Sequence, residues 1–121
     1  MTEFSLDGCA VLVVDDDFYL AENARNALED AGATVLGPYG DEDEAIGSLE
    51  EQLPQCAVLD LNLGAGPSFV IARTLKLRGV PMVLVTGYDA GIIPPDLAGA
   101  PCLQKPVSNA QLVAAVTDLV N

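Results

Sequence analysis

Five short, mostly apolar runs punctuate the chain: CAVLVV at 9–14, ATVLG at 33–37, CAVLD at 56–60, PMVLVT at 81–86 and CLQ at 102–104. Continuous rather than alternating hydrophobicity, rich in β-branched residues, fits strands covered on both faces. Between these runs the apolar positions recur at helical spacing. Ala21, Ala24, Leu28 and Ala31 predict a first helix, with Gly32 as its stop. Asp41 followed by Glu44 has the pattern of a capping box. It opens a second helix with Ala45, Ile46, Leu49 and Leu53 inward and Pro54 as its end. Gly64, Gly66 and Pro67 mark a loop before a third helix over roughly 68–78, with Ile71, Ala72 and Leu75 inward and Gly79 closing it. Ser108 with Gln111 opens a last helix that turns Leu112, Val116 and Leu119 inward. Residues 89–101 hold Pro94-Pro95, which cannot both sit inside a regular helix, so any helix there is short or broken. Strand–helix alternation of this kind predicts an α/β fold around a parallel sheet. No linker or low-complexity tract interrupts the rhythm, so a single domain over 1–121 is expected.

Charge sharpens the picture. Eighteen acids against five bases give a formal charge of −13, which excludes binding nucleic acid or anionic membrane by general attraction. Residues 1–60 hold fifteen acids and a single base, Arg25, which predicts an acidic surface or site in that half. Histidine is absent and no Cys-x-x-Cys occurs, so the usual zinc ligand sets, a His-based triad and a His-ligated haem are excluded. Cys9, Cys56 and Cys102 each sit in or beside an apolar run and read as small buried hydrophobes in a reducing compartment. The first residues, MTEFSLDG, lack the basic and apolar regions of a signal peptide, and no apolar run approaches a membrane span. A cytoplasmic location is the expectation.

In open parallel sheets, ligands bind beyond the carboxyl ends of the strands. The first strand ends in Asp15-Asp16-Asp17, the third in Asp60, the fourth in Thr86-Gly87 and the fifth in Lys105-Pro106. Each alone has an ordinary explanation: Asp17 is placed to cap the first helix, Thr86 to end a strand, Lys105 to lie in solvent. Together they crowd carboxylates on one edge, which costs free energy unless a cation arrives. Mg²⁺ suits a few carboxylate oxygens plus water and phosphate. A carboxylate can attack phosphorus and form an acyl phosphate, while a metal, a lysine and a hydroxyl neutralise the transferring group. Asp60 suits the nucleophile, Asp15 and Asp16 the metal, and the backbone carbonyl of Asn62 would add an oxygen ligand.

The segments VLVVDDD (11–17), VLDLNLG (58–64), VLVTG (83–87) and LQKP (103–106), in this order and spacing, resemble a two-component response-regulator receiver domain over essentially the whole chain. The resemblance implies a doubly wound, flavodoxin-like receiver fold: a five-stranded parallel sheet in the order 2-1-3-4-5 with helices on both faces. It implies that Asp60 is the phosphoacceptor. Asp16 would ligate Mg²⁺ directly and Asp15 mainly through water. Thr86 would bind a phosphoryl oxygen, Lys105 would pair with the phosphate, and Lys105-Pro106 would be a cis peptide. The donor would be a phosphohistidine on a sensor histidine kinase or a histidine phosphotransfer protein, and a downstream protein would read the result. Such a domain catalyses only its own phosphorylation and dephosphorylation and is not a turnover enzyme. LNLG, VTGY and LQKP together resemble a subgroup of stand-alone receivers with a Thr-Gly-Tyr strand end, some linked to general stress signalling in Alphaproteobacteria.

The departures from the family pattern matter as well. The position three residues before the lysine, usually Phe or Tyr, is Cys102, so coupling of Thr86 to an aromatic flip is not expected here. Tyr88 is a candidate substitute for that aromatic. Asn62 and Tyr88 each lie two residues past a site residue, beside the expected path of attacking water, and with Gly87 and Cys102 they form the candidate tuning positions. The short segment between Thr86 and Lys105, with its two prolines, predicts a short or irregular fourth helix.

A haloacid-dehalogenase-type phosphohydrolase is the alternative, with Asp15 as nucleophile and Asp17 as acid/base. It leaves Asp60 without a role and lacks an acidic pair after Lys105. A third possibility is a pseudo-receiver that serves only as a binding surface.

Overall fold

The structure, a computed structural model, describes residues 6–61, 69–87 and 93–120. The chain runs β1 (Ala10–Val14), α1 (Phe18–Asp30), β2 (Thr34–Tyr39), α2 (Glu42–Ser48), β3 (Cys56–Asp60), α3 (Val70–Leu77), β4 (Met82–Thr86), a 3-10 helix (Pro95–Leu97), β5 (Cys102–Gln104) and α4 (Asn109–Val120). The five strands form one sheet in the order β2-β1-β3-β4-β5, and every pairing is parallel. The edges of the sheet are therefore β2 and β5, and the central strand β3 carries Asp60 at its last position.

The apolar runs are continuous because each strand feeds two cores. On one face Leu12, Leu59 and Leu84 pack with Ala45, Ile71 and Leu75 from α2 and α3. On the other, Val11, Val13, Val58 and Val83 pack with Leu28, Leu112 and Val116 from α1 and α4. Alternate residues along a strand point to opposite faces, so every position of β1, β3 and β4 is buried.

Helix ends follow the local chemistry. Asp17 caps α1, its side chain accepting from Leu20 N–H at 3.1 Å. Gly32 follows α1 with φ of +103°, where a Cβ would meet the Asp7 carboxylate, so glycine is needed there twice over. Asp41 caps α2 through the amides of Asp43 and Glu44. Ser108 and Gln111 exchange reciprocal side-chain bonds at the start of α4, the expected capping box.

Two expectations need correction. α2 stops at Ser48 instead of reaching Leu53, which is 47 % exposed. Gly47 weakens the last turn, and Glu50 and Glu51 would place negative charge at the wrong end of the helix dipole. β2 runs on past Gly37 through Pro38 to Tyr39, two residues beyond the predicted end. Its edge position leaves Pro38 free of a ladder bond on the outer side, and a register shift between Leu12 and Val14 of β1 absorbs the irregularity. In place of a regular fourth helix, the described residues between β4 and β5 hold only the single turn Pro95–Leu97, anchored by buried Leu97.

Candidate functional site

The carboxyl ends of β1, β3, β4 and β5 share one rim, so residues far apart in sequence meet there. β1 delivers Asp15 and Asp16 just past Val14, and β3 delivers Asp60. One oxygen from each of these three carboxylates lies within 4.8 Å of the other two. Asp60 is 3 % exposed, Asp15 is half-buried and Asp16 faces solvent. Lys105, just past β5, reaches across β4 to place Nζ 2.9 Å from Asp60 Oδ2. Its own amide donates to the Thr86 carbonyl at 2.8 Å, which fixes the loop that carries it. The Lys105–Pro106 peptide is cis, as the resemblance implies.

Thr86 ends β4 fully buried, one residue beyond Val85, the register partner of Asp60. Gly87 follows it at the surface. Cys102 begins β5, paired with Leu84 and packed against the core beneath β4, so the position of the usual aromatic holds a small, half-buried thiol. Asn62 and Tyr88, the remaining tuning candidates, lie outside the described residues.

The electrostatics match the crowding. The Asp15 carboxyl is pushed up to about 7: burial contributes most, and the neighbouring Asp60 carboxylate adds to it, against the Asp17 amide and Lys105, which favour the charged form. Burial works against charge on Lys105, but the bond to Asp60, helped by Asp15 and Asp16, holds its pKa above the ordinary lysine value. Three oxygen donors with one cation among them suit a hard divalent ion, and Mg²⁺ fits this donor set in type and number. Asp17 does not join the cluster, because its carboxylate serves the first turn of α1. It is therefore occupied where the hydrolase alternative needs an acid/base, while Asp60 holds the buried ion pair.

Three features were not legible in the sequence. A cleft of about 410 Å³ opens between α1 and α4, bounded by Leu20, Asn23, Ala24 and Asn109 and reaching Asp60 and Lys105. Phe18 and Tyr19 stand exposed on the same rim with their rings edge to face at 5.7 Å. Glu42, in the first turn of α2, accepts from the Ile71 amide at 3.0 Å through its carboxylate, where α3 has no side-chain cap of its own. No sequence signal marks such a contact, because the partners are 29 residues apart.

The family model described as the response regulator receiver domain matches residues 11–117. A response regulator receiver protein from Sinorhizobium medicae WSM419 superposes with a TM-score of 0.81 at 27 % identity, covering 97 % of this chain and 98 % of that one. SdrG from Pseudomonas melonis Fr1, in a BeF3-activated conformation, gives 0.78 at 27 % identity over 93 % and 96 %. A CheY-like receiver domain protein from Methanospirillum hungatei JF-1 gives 0.81 at 22 % identity over 93 % of each chain, a likeness of fold. No curated protein sequence matches the chain. With the family model spanning nearly all of the fold and the acid–lysine rim in its expected place, the chain belongs to the response regulator receiver domain family.

Proposed function

We propose that Asp60 is the phosphoacceptor of a two-component or phosphorelay pathway, taking its phosphoryl group from a phosphohistidine on a sensor kinase or phosphotransfer protein. The observation that carries this reading is the buried Asp60 carboxylate, bonded to Lys105 and within 4.8 Å of two further carboxylates. Bound at Asp15, Asp16 and Asp60, Mg²⁺ would supply charge neutralisation for the phosphoryl oxygens. The carboxylate oxygen of Asp60 attacks phosphorus as the P–N bond to the partner's imidazole breaks, and the bonding pair leaves with the ring nitrogen. Lys105 then exchanges a carboxylate partner for a phosphoryl one, and the Thr86 hydroxyl donates to a phosphoryl oxygen. The exposed Phe18 and Tyr19 and the cleft beside them give the phosphodonor an apolar foothold next to Asp60.

The domain acts by phosphorylation-dependent protein binding, or passes or drains phosphate, and does not turn over a substrate. This exchange belongs in the cytoplasm, a reducing compartment that suits three unpaired cysteines. Among the described residues no helix is long and apolar enough to cross a membrane. SdrG, at 27 % identity, has been captured in a BeF3-activated form, and the same phosphoryl mimic should bind here with Mg²⁺.

The decisive experiment is incubation with a small acyl phosphate and Mg²⁺, followed by mass mapping. One phosphoryl group on Asp60, absent in Asp60→Asn, is expected. Label on Asp15 would restore the hydrolase, and no uptake at all would leave a binding surface without acceptor chemistry.

A further inference from the structure

α3 grips the sheet through Ile71, Ala72 and Leu75 and turns the opposite side to solvent. At about 100° per residue that outer side carries Val70, Arg73, Thr74 and Leu77. Val70 is 56 % exposed and Leu77 89 %, and the two stand two turns apart on one line, roughly 10 Å along the axis. Cations flank this line on both sides. Lys76 reaches towards the 3-10 helix, where Nζ donates to the Asp96 carbonyl. Arg78 reaches the other way, to Glu50 at 3.4 Å. Arg73 lies between them, with Nε 3.0 Å from Asp96 Oδ2 and its guanidinium 5.9 Å from the centre of the Phe69 ring. Three of the five basic residues of a chain with charge −13 thus fall within six consecutive positions. Their acidic partners are exposed, and such pairs are weak and exchange readily.

Among the described residues between β4 and β5 one 3-10 turn, Pro95–Leu97, lies beside this flank, and a cleft of about 780 Å³, floored by Val80, Met82, Leu97 and Ala100, runs beside Lys76. An apolar line rimmed by cations on a molecule that is otherwise acidic has a definite complement.

We propose that the outer face of α3 docks an acidic amphipathic helix of a partner protein. The partner's apolar stripe covers Val70 and Leu77, and its carboxylates on either side of the stripe replace Asp96 and Glu50 on Arg73, Lys76 and Arg78. The molecule's own field favours this flank, because the acid-rich residues 1–60 repel such a helix while Arg73, Lys76 and Arg78 attract it. Nucleic acids and anionic membranes also offer negative charge, but they are extended polyanions that would meet the acidic half as well, and they offer no apolar stripe for Leu77. The inference rests on the proposed function only in taking protein binding as the output. The surface itself needs no phosphate.

The test is a titration of the isotope-labelled chain, followed by amide NMR, with a synthetic three-heptad peptide that has leucine along one face and glutamate on both flanks. A lysine-for-glutamate version and a single-stranded oligonucleotide are run beside it. The expected result is shifts confined to residues 69–78 and 95–97, binding that weakens with salt, and a loss of roughly tenfold or more in Leu77→Asp. Leu77→Met should keep the affinity. Both variants change an exposed side chain and should still take phosphate on Asp60. Failure of that uptake with peptide binding intact would therefore sink the acceptor reading and leave the surface standing. Absence of shifts at millimolar peptide, shifts spread over the acid-rich half, equal binding of the lysine peptide, or tighter binding of the oligonucleotide to the same amides would each overturn the proposal.

Discussion

At the proposed Mg²⁺ site Asp15 would make cation binding a function of pH, and the size of the effect follows from its surroundings. In the unfolded chain its carboxyl has the ordinary value of 3.8, and in the fold burial and the nearby Asp60 push it up to about 7. Between those two values the native state holds a proton that the unfolded chain has lost. The cation-free protein therefore loses stability as pH rises from about 4 to 7, with no further change from this group above that window. A divalent ion held with the charged form of Asp15 would have to displace the same proton. At pH 8 about nine-tenths of Asp15 is ionised, and at pH 6 about one-tenth, so the apparent Mg²⁺ affinity should fall about tenfold between them, or roughly 1.4 kcal/mol. Calorimetric titration of Mg²⁺ at the two pH values, in buffers of different ionisation heat, reads both the affinity and the released proton. Thermal melts at each pH give the matching stabilisation by mass action, which Asp16→Asn should abolish. Equal affinity at pH 6 and 8, or a tenfold drop that persists in Asp15→Asn, would refute this assignment.

Two further outcomes separate the roles of the rim residues. Lys105→Met leaves the Asp60 carboxylate buried beside Asp15 without its cation and should cost roughly 3 kcal/mol at neutral pH, measured by urea unfolding; an unchanged midpoint would show that the ion pair contributes nothing. Asp17→Ala removes only the cap of α1 and should cost about 1 kcal/mol while phosphate uptake on Asp60 proceeds at its original rate, whereas a block in uptake would assign Asp17 to the chemistry.

The rim was legible because strand ends are legible. VLVVDDD and CAVLD each show an apolar run broken by acid, and parallel topology carries such breaks to one edge whatever the loops do. Asp17 was readable as a cap for the same local reason. What stayed hidden depends on contacts between distant positions. Leu53 has the spacing of a helical core residue, and only competition from Gly47 and the acids after it removes it from α2. The apolar run ATVLG ends at Gly37, and only the edge position of β2 lets the strand continue through Pro38 to Tyr39. Arg73 and Asp96 look like two solvated charges, since nothing local announces that a 3-10 turn will lie alongside α3.

The bond from Glu42 to Ile71 ties the fates of two helices together. Phe69 cannot cap α3, so the acceptor for its first turn is lent by another element. When α2 opens locally, the Ile71 amide loses its shelter even if α3 keeps its own packing. Proton exchange at that one amide should therefore report on the opening of α2 as well as on α3.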